Sequence, residues 1–173
     1  ISLSNLANKN KVKYKKLNLK NLKINLNLSK LKDYSNIKKT KSSLLPIILN
    51  NGQINFYENE EYLTSINNAT VKYISNKKKD ETIIKGNFLG DKININFENK
   101  KKDKTISKIY VLKLVNSKLF GSIDILKPNS NKKYPNGIFL FKANKNRLAG
   151  NFDYKDNQII IENAKLRNSF LDG

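Results

Sequence analysis

Acidic residues are the first candidates for chemistry in this chain, which has 14 Asp and Glu but no His and no Cys. Without those two residue types, neither a Ser-His-Asp or Cys-His arrangement nor a zinc site of the common kinds can form. Glu58, Glu60 and Glu61 form an acidic cluster that could bind a hard cation, but a solvated loop between strands explains it better. Asp91 and Asp156 occupy turn-like contexts, where Asp makes local backbone hydrogen bonds.

Glycine and aromatic residues give no stronger signal. Gly86 and Gly90 do not form a phosphate loop, because no Gly-Lys-Ser or Gly-Lys-Thr follows them. Tyr and Phe recur at strand spacing, which favours a core or groove lining over a base-stacking platform. Since no group of residues supplies an acid, a base and a nucleophile together, we predict that the chain is not an enzyme and uses no cofactor or metal.

The charge of the chain is strongly positive, at +20, and this invites a nucleic-acid hypothesis. Of 34 basic residues, however, only Arg147 and Arg167 are Arg, the residue best suited to paired phosphate and base contacts. The 29 Asn and the many Lys and Ile residues have AT-rich codons, so genome composition explains much of the bias. Residues 1–50 carry 12 Lys and one acid, Asp33, which makes this end the best place for contact with an anionic partner.

Hydrophobic residues recur with a period of two along much of the chain, which is the spacing of a β-strand with one apolar face. Leu22, Ile24, Leu26 and Leu28 alternate with polar residues, and Val12, Tyr14, Leu17 and Leu19 precede them. Residues 31–43 lose the alternation and predict a loop or a short helix. "LLPIIL", residues 44–49, is apolar on both faces and contains Pro46, which favours a covered edge or a capping segment.

Later alternating segments bring the total to about 10–12 strands of 5–8 residues, joined by short polar turns such as 76–80, 89–92 and 100–104. Turns this short cannot hold parallel crossovers, so we predict an antiparallel meander. No amphipathic helix is available to cover the apolar face. The fold class is therefore all-β, a curled sheet or open groove, with a closed barrel or a sandwich as the alternative.

One face of this sheet is expected to be an apolar inner wall. The alternating pattern assigns to it Ile54, Phe56, Val71, Tyr73, Ile84, Phe88, Ile93, Ile95, Phe97, Ile123, Ile125, Leu148, Phe152, Ile159 and Ile161. In "NNGQINFYEN", residues 50–59, Gly52 is expected to allow a turn or bulge, after which Ile54 and Phe56 face inward.

An internal echo suggests repeated hairpins. "KGNFLGDKININFEN" starts at Lys85 and "AGNFDYKDNQIIIEN" starts at Ala149, 64 residues later.

The chain starts at Ile1 and contains no Met, which favours an internal or processed fragment. No run of 18 or more apolar residues predicts a membrane-spanning helix.

Three stretches resemble the AsmA-type proteins of Gram-negative envelopes. They are "LLPIILNNGQINFYENEEYLTSINNATVKY", "IIKGNFLGDKININFEN" and "LAGNFDYKDNQIIIENAKLRNSFLDG". The matching positions are Pro46, Asn51, Gly52, Ile54, Phe56, Asn68, Gly86, Phe88 and Ile95. On this basis residues 44–173 form an AsmA-like β-sheet region, and residues 1–43 form basic N-terminal strands and a loop of the same continuous domain, itself a fragment of a longer protein.

The resemblance implies a periplasmic protein held at the inner membrane by an anchor outside this chain. It also implies an apolar groove that supports phospholipid transport between the two membranes or outer-membrane assembly, with lipid acyl chains as the partner. Two other hypotheses stay open: a structural, adhesin-type surface protein with a closed core, and a basic nucleic-acid-binding β-domain, which the Lys-rich composition does not favour. The oligomeric state is not predicted.

Overall fold

The computed structural model describes residues 16–30, 46–128 and 134–168. These residues form one sheet of eleven strands and a single 3₁₀ turn, Leu28–Lys30. The strands are β1 Leu17–Lys20, β2 Lys23–Asn27, β3 Ile47–Glu58, β4 Glu61–Ser75, β5 Lys79–Phe88, β6 Asp91–Lys100, β7 Ile106–Leu114, β8 Leu119–Leu126, β9 Asn136–Ala143, β10 Asn146–Lys155 and β11 Gln158–Arg167. The all-β prediction is confirmed.

From β3 to β11 every strand pairs antiparallel with its neighbours in sequence, as a meander. Within the described ranges β11 pairs with β10 alone, and the opposite end is formed by β1 and β2, so the sheet stays open. The alternatives of a closed barrel and a two-sheet sandwich are therefore wrong. Across ten strand positions the sheet is about 43 Å long, at a spacing of about 4.8 Å per strand.

The first two strands depart from the prediction of an exclusively antiparallel meander. β1 and β2 lie one after the other along β3 and run parallel to it, with Leu17 opposite Ile47 and Ile24 opposite Ile54. Residues 28–46 make the return connection, which is long enough for a parallel crossover where two-residue turns are not. Leu28 lies in the 3₁₀ turn and not in the predicted strand.

Each residue of β1 and β2 pairs with the residue 30 positions later in β3. Both sides of this pairing are kinked between β1 and β2. Asn21 and Asn51 sit at that kink with φ of 55° and 51°, a left-handed conformation that Asn tolerates better than most residues. The Asn51 side-chain amide donates to Asn21 Oδ1 at 2.8 Å, and the Asn55 amide donates to Asn25 Oδ1 at 2.9 Å. Stacked Asn side chains thus tie the parallel strands together, and we call this feature the Asn stack.

The segment "LLPIIL" is not a covered edge where the structure describes it. Ile47–Leu49 begins β3 and pairs with β1 on one side and β4 on the other. This central position explains why it is apolar on both faces, and Leu49 is 2% exposed. Pro46 stands just before the strand, where its missing N–H costs no ladder bond and its carbonyl accepts from Leu17 N at 2.9 Å.

Several predicted features are shifted or lie outside the described residues. β5 starts at Lys79, inside the turn predicted over 76–80. The bulge predicted at Gly52 is confirmed, because β3 continues through "NNG" with register shifts on both sides of Gly52, but Asn51, not Gly52, takes the positive φ. Val12, Tyr14, the segment 31–43 and Leu44 and Leu45 lie outside the described residues.

Both segments of the internal echo form an antiparallel hairpin, β5–β6 and β10–β11, as predicted, but their turns differ in place. Gly86 lies in β5, before the turn at 89–90, whereas Gly150 lies in β10, before the turn at 156–157. Those two turns lie at opposite ends of the strands, because successive turns of a meander alternate between ends. The structural repeat in the described part is the 30-residue offset of the Asn stack, which the sequence shows as L-x-N-x-x-I-N at Leu19 and again at Leu49.

Alternating turns give the sheet two rims, which we name here. Rim A holds the turns 59–60, 89–90, 115–118 and 144–145, and rim B holds the turns 76–78, 101–105 and 156–157 together with residues 127–128 and 134–135. None of the described residues forms a helix long and apolar enough to cross a membrane.

Candidate functional site: the apolar face and its rims

The strand registers place every predicted inner-wall residue on the same face of the sheet. The pairs Ile84↔Ile95 and Phe97↔Tyr110 exemplify the rows that cross it. The face then continues through Tyr110↔Ile123 and Phe152↔Ile161. We call it the apolar face, and the other side the polar face. Leu26, Leu49, Ile66, Ala69, Leu112, Leu114, Leu119, Phe139, Phe141 and Leu166 also lie on the apolar face, and the prediction did not name them for this role.

Burial on the apolar face falls from β3 towards β11, with the exception of Phe139 in β9, which is 6% exposed. Ile54, Ile66, Ala69 and Ile93 form a packed cluster, each 5% exposed or less. Leu26, Phe56, Val71, Ile84, Phe88, Ile95 and Leu114 pack against that cluster. This part of the face is a core in which side chains already cover one another.

The strands β6–β11 leave large apolar side chains uncovered by any described residue. Phe97 is 39% exposed, Phe141 44%, Ile161 59% and Ile159 68%. Further members with similar exposure are Tyr110, Leu112, Leu119, Leu148, Tyr154 and Leu166. Most exposed apolar residues of a soluble protein are scattered singly, and a contiguous exposed patch marks a binding surface.

A depression of about 300 Å³ lies in this exposed part, next to rim A. Its apolar walls come from Leu112, Leu119, Phe141, Ala143, Leu148 and Leu166. Gly121 lines the depression. On the apolar face a Phe ring of the adjacent strand lies close to each of three glycines: Phe141 to Gly121, Phe139 to Gly150 and Phe152 to Gly137. Such aromatic–glycine pairs protect the strand backbone and flatten the surface.

The polar face carries a row of basic residues near rim A. Adjacent partners across β5–β11 are Lys85, Asn94, Lys113, Phe120, Lys142, Arg147 and Arg167. The row, which we call the basic row, contains five cations, no acid and both arginines of the chain. Phe120 lies between two cations, with Lys113 Nζ 5.6 Å and Lys142 Nζ 5.8 Å from its ring centroid, a favourable cation–π geometry.

The two rims differ in how their lysines are neutralised. In the part of the chain that the structure describes, ion pairs lie at rim B, where Lys101 meets Asp80 at 2.6 Å and Lys79 meets Glu81 at 3.1 Å. Asp103 also belongs to rim B, and Lys100 approaches it at 3.8 Å. Rim A has its acids at one end, in the exposed cluster Glu58, Glu60 and Glu61, beside β3 and β4.

Asp91 is an acid at the β5–β11 part of rim A, and its carboxylate is occupied by hydrogen bonds from the backbone. Its two carboxylate oxygens accept from Asn116 N at 2.7 Å and from Ser117 N at 2.8 Å. Burial raises the pKa of Asp91, but these backbone hydrogen bonds outweigh it and lower the pKa to about 2. The carboxylate therefore fixes the 115–118 turn and leaves the long, β5–β11 part of rim A without a free acid among the described residues.

Comparison with protein-family models, with curated proteins and with solved structures finds no match to this chain. The resemblance to AsmA-type proteins thus stays a prediction. Among the described residues no group of three or more acids is close enough to hold a metal ion. The features left to carry function are the open apolar face and the charge of its rims.

Proposed function

We propose that the chain is a non-enzymatic cell-envelope module whose apolar face binds the acyl chains of phospholipids. In this role it supports phospholipid transport between the inner and outer membranes, or outer-membrane assembly. The observation that carries the proposal is the exposed apolar surface of β6–β11, which stays uncovered by any described residue.

An acyl chain is an occupant of the right chemistry for this surface. It needs a continuous apolar lining without specific polar partners, and moving it out of water is worth about 0.8 kcal/mol per CH₂. The depression between Leu119 and Leu166 supplies such a lining beside rim A. A phospholipid placed there has its phosphate near a rim rich in Lys, which meets phosphate as a point charge.

Purification followed by lipid extraction and native mass spectrometry tests the proposal. We expect the chain to retain phospholipid, and the double variant Leu119→Gln, Leu148→Gln to lose most of it because both side chains line the depression. Ile138→Gln is the matched control: Ile138 is 47% exposed, comparable with Leu119 and Leu148, but lies on the polar face. A lipid-free wild-type chain that also takes up no added phospholipid would overturn the proposal.

The hypothesis of a structural surface protein predicts a different result. It expects the apolar side chains to be closed off by packing, whereas only the β3–β6 part of the face is packed in this way. The exposed β6–β11 part favours lipid binding over that alternative.

A further inference from the structure

Leu89 is the most exposed large apolar side chain in the described residues, and its backbone conformation is unfavourable for a bulky residue. It is the first residue of the two-residue turn at 89–90, with φ of 49°, and is 80% exposed. Such hairpin turns favour Asn, Asp or Gly at positive φ, and a bulky residue there is an outlier. The other described two-residue turns follow the rule, with Asn59, Asn144, Asp156 and Asn157 at positive φ, whereas the longer 115–118 turn has Lys118 at φ of 52°.

Val115 is a second exposed apolar residue in a turn of rim A, and we call Leu89 and Val115 the apolar tips. The two lie two strand intervals apart, which is roughly 10 Å along the sheet. Val115 is 57% exposed. Its backbone is held firmly, since Val115 N donates to Lys92 O at 3.0 Å and Asp91 fixes the next two residues. Asn144 N donates to Lys118 O at 3.4 Å, so the neighbouring turn joins the same connected edge.

Cations surround both tips. Lys92, Lys118 and Lys145 are exposed at or beside the three turns. The basic row runs parallel to the rim, within three residues of the strand ends. This combination of exposed apolar tips and a belt of unneutralised Lys and Arg is the chemistry of proteins that lie on an anionic bilayer.

We propose that rim A docks on the surface of an anionic lipid bilayer, with Leu89 and Val115 inserted among the headgroups. The cations of the rim and of the basic row then meet lipid phosphates. Charge complementarity selects this partner, and the apolar tips distinguish it from nucleic acid, which would gain nothing from Leu89. The inference is separate from acyl-chain binding on the apolar face, because Leu89, Val115 and the lysines of the rim turns do not line the depression, although Lys142 and Arg147 of the basic row do.

Flotation of the 173-residue chain with vesicles tests the proposal. We expect binding to vesicles that contain 30–40% phosphatidylglycerol, at about 0.1 M salt, and little binding to pure phosphatidylcholine. The triple variant Lys92→Gln, Lys118→Gln, Lys145→Gln should weaken binding about a hundredfold, since each cation near an anionic surface contributes about fivefold. The matched control is Lys77→Gln, Lys102→Gln, Lys104→Gln, which removes the same charge from rim B and should weaken binding far less.

The variant Leu89→Asn distinguishes insertion of an apolar side chain into the bilayer from attraction between the cations and the lipid phosphates. Asn suits the turn better than Leu does, so the variant should fold at least as stably while binding vesicles about tenfold more weakly or worse. Ile138→Gln should bind vesicles as the wild type does, because Ile138 is 47% exposed but lies on the polar face in the rim-B half of β9, away from Leu89 and Val115. Equal loss from both charge triples, unchanged binding of Leu89→Asn, or stronger binding to single-stranded DNA than to vesicles with no effect of Leu89→Asn would each overturn the proposal.

Discussion

Gly137 shows how closely backbones and rings approach on the apolar face. A Cβ placed there would meet the carbonyl oxygen of Asp124 and would lie 2.7 Å from the Phe152 ring. Gly121 is the milder case, because its nearest neighbour is the mobile edge of the Phe141 ring at 3.1 Å.

We therefore expect Gly137→Ala to lower the free energy of unfolding by about 1–3 kcal/mol, the usual cost of overpacking. Gly121→Ala should cost clearly less, since only a side chain has to yield. Urea unfolding followed by circular dichroism measures both. Equal losses in the two variants would argue that strand propensity, and not the contact with Asp124 and Phe152, sets the cost.

Asp91 predicts a specific dependence of stability on pH. Its pKa falls from 3.8 to about 2 on folding, so its contribution is complete above about pH 4 and is lost as the pH falls through 2. We expect Asp91→Asn to flatten the acid limb of a stability–pH curve between pH 4 and pH 2.

Asp103 supplies the control for this experiment. Hydrogen bonds from the backbone N–H groups of Ile106 and Thr105 lower its pKa as well. Asp103→Asn should therefore remove the part of the acid-induced loss of stability that comes from Asp103 and keep the part that comes from Asp91. A curve for Asp91→Asn that superimposes on the wild-type curve would contradict the role of the Asn116 and Ser117 contacts.

At the scale of single elements, the Asn stack holds β2 on β3. Asn55 is 9% exposed, and its amide has Asn25 as partner, while Asn55 Oδ1 has no partner in the described structure. Removing Asn25 would leave a second buried polar group unsatisfied, which typically costs about 1–3 kcal/mol.

A double-mutant cycle measures this link. We expect Asn25→Ala to destabilise the sheet by about 1 kcal/mol or more, and Asn25→Ala to cost much less when Asn55→Ala is already present. Thermal unfolding of the four chains gives the coupling energy. Additive losses would mean that the two side chains act independently in spite of their 2.9 Å contact.

The same elements show what the sequence could predict and what it could not. Period-two alternation is local, so it located the strands and the side of the sheet on which Ile84, Ile95 and Phe152 lie. The parallel placement of β1 and β2 depends on residues 30 positions apart and on a kink at Asn21 and Asn51, neither of which alternation detects. "LLPIIL" was misinterpreted because burial from two flanking strands looks the same in sequence as a covered edge.

The site was predictable to a similar degree. Membership of the apolar face follows from alternation and short turns, whereas the change from packed to exposed depends on which strands flank each residue. Ile93 and Ile159 have the same type and pattern, yet one is 5% and the other 68% exposed. Leu89 was recognisable as part of a turn, but its positive φ follows only from the hairpin register.

Seen as a whole, the molecule presents an unusual edge at β11. Every residue of that strand is exposed, and "QIIIE" places three Ile in a row beside backbone groups with no partner strand in the described part. Long apolar edge strands are templates for pairing between chains. The charge of +20 opposes such contact at low ionic strength.

We expect the chain to self-associate as salt rises, and Ile160→Lys to suppress this because it places a charge on the edge strand. Ile138→Lys is the matched control, with 47% exposure against 46% for Ile160, on the same face but in an interior strand. Sedimentation velocity at increasing concentration measures the difference. Association that persists unchanged in Ile160→Lys would place the contact elsewhere on the molecule.

The meander has a consequence for how this architecture can change in length. From β4 to β10 each strand pairs only with its two neighbours in sequence, so stability accumulates from nearest-neighbour contacts, as in repeat proteins. A hairpin inserted at any turn would lengthen the sheet by about 9.6 Å, two strand spacings, and leave pairing elsewhere unchanged. The length of the sheet can therefore change in steps of one hairpin, by insertion or deletion of whole hairpins between the Asn stack and β11.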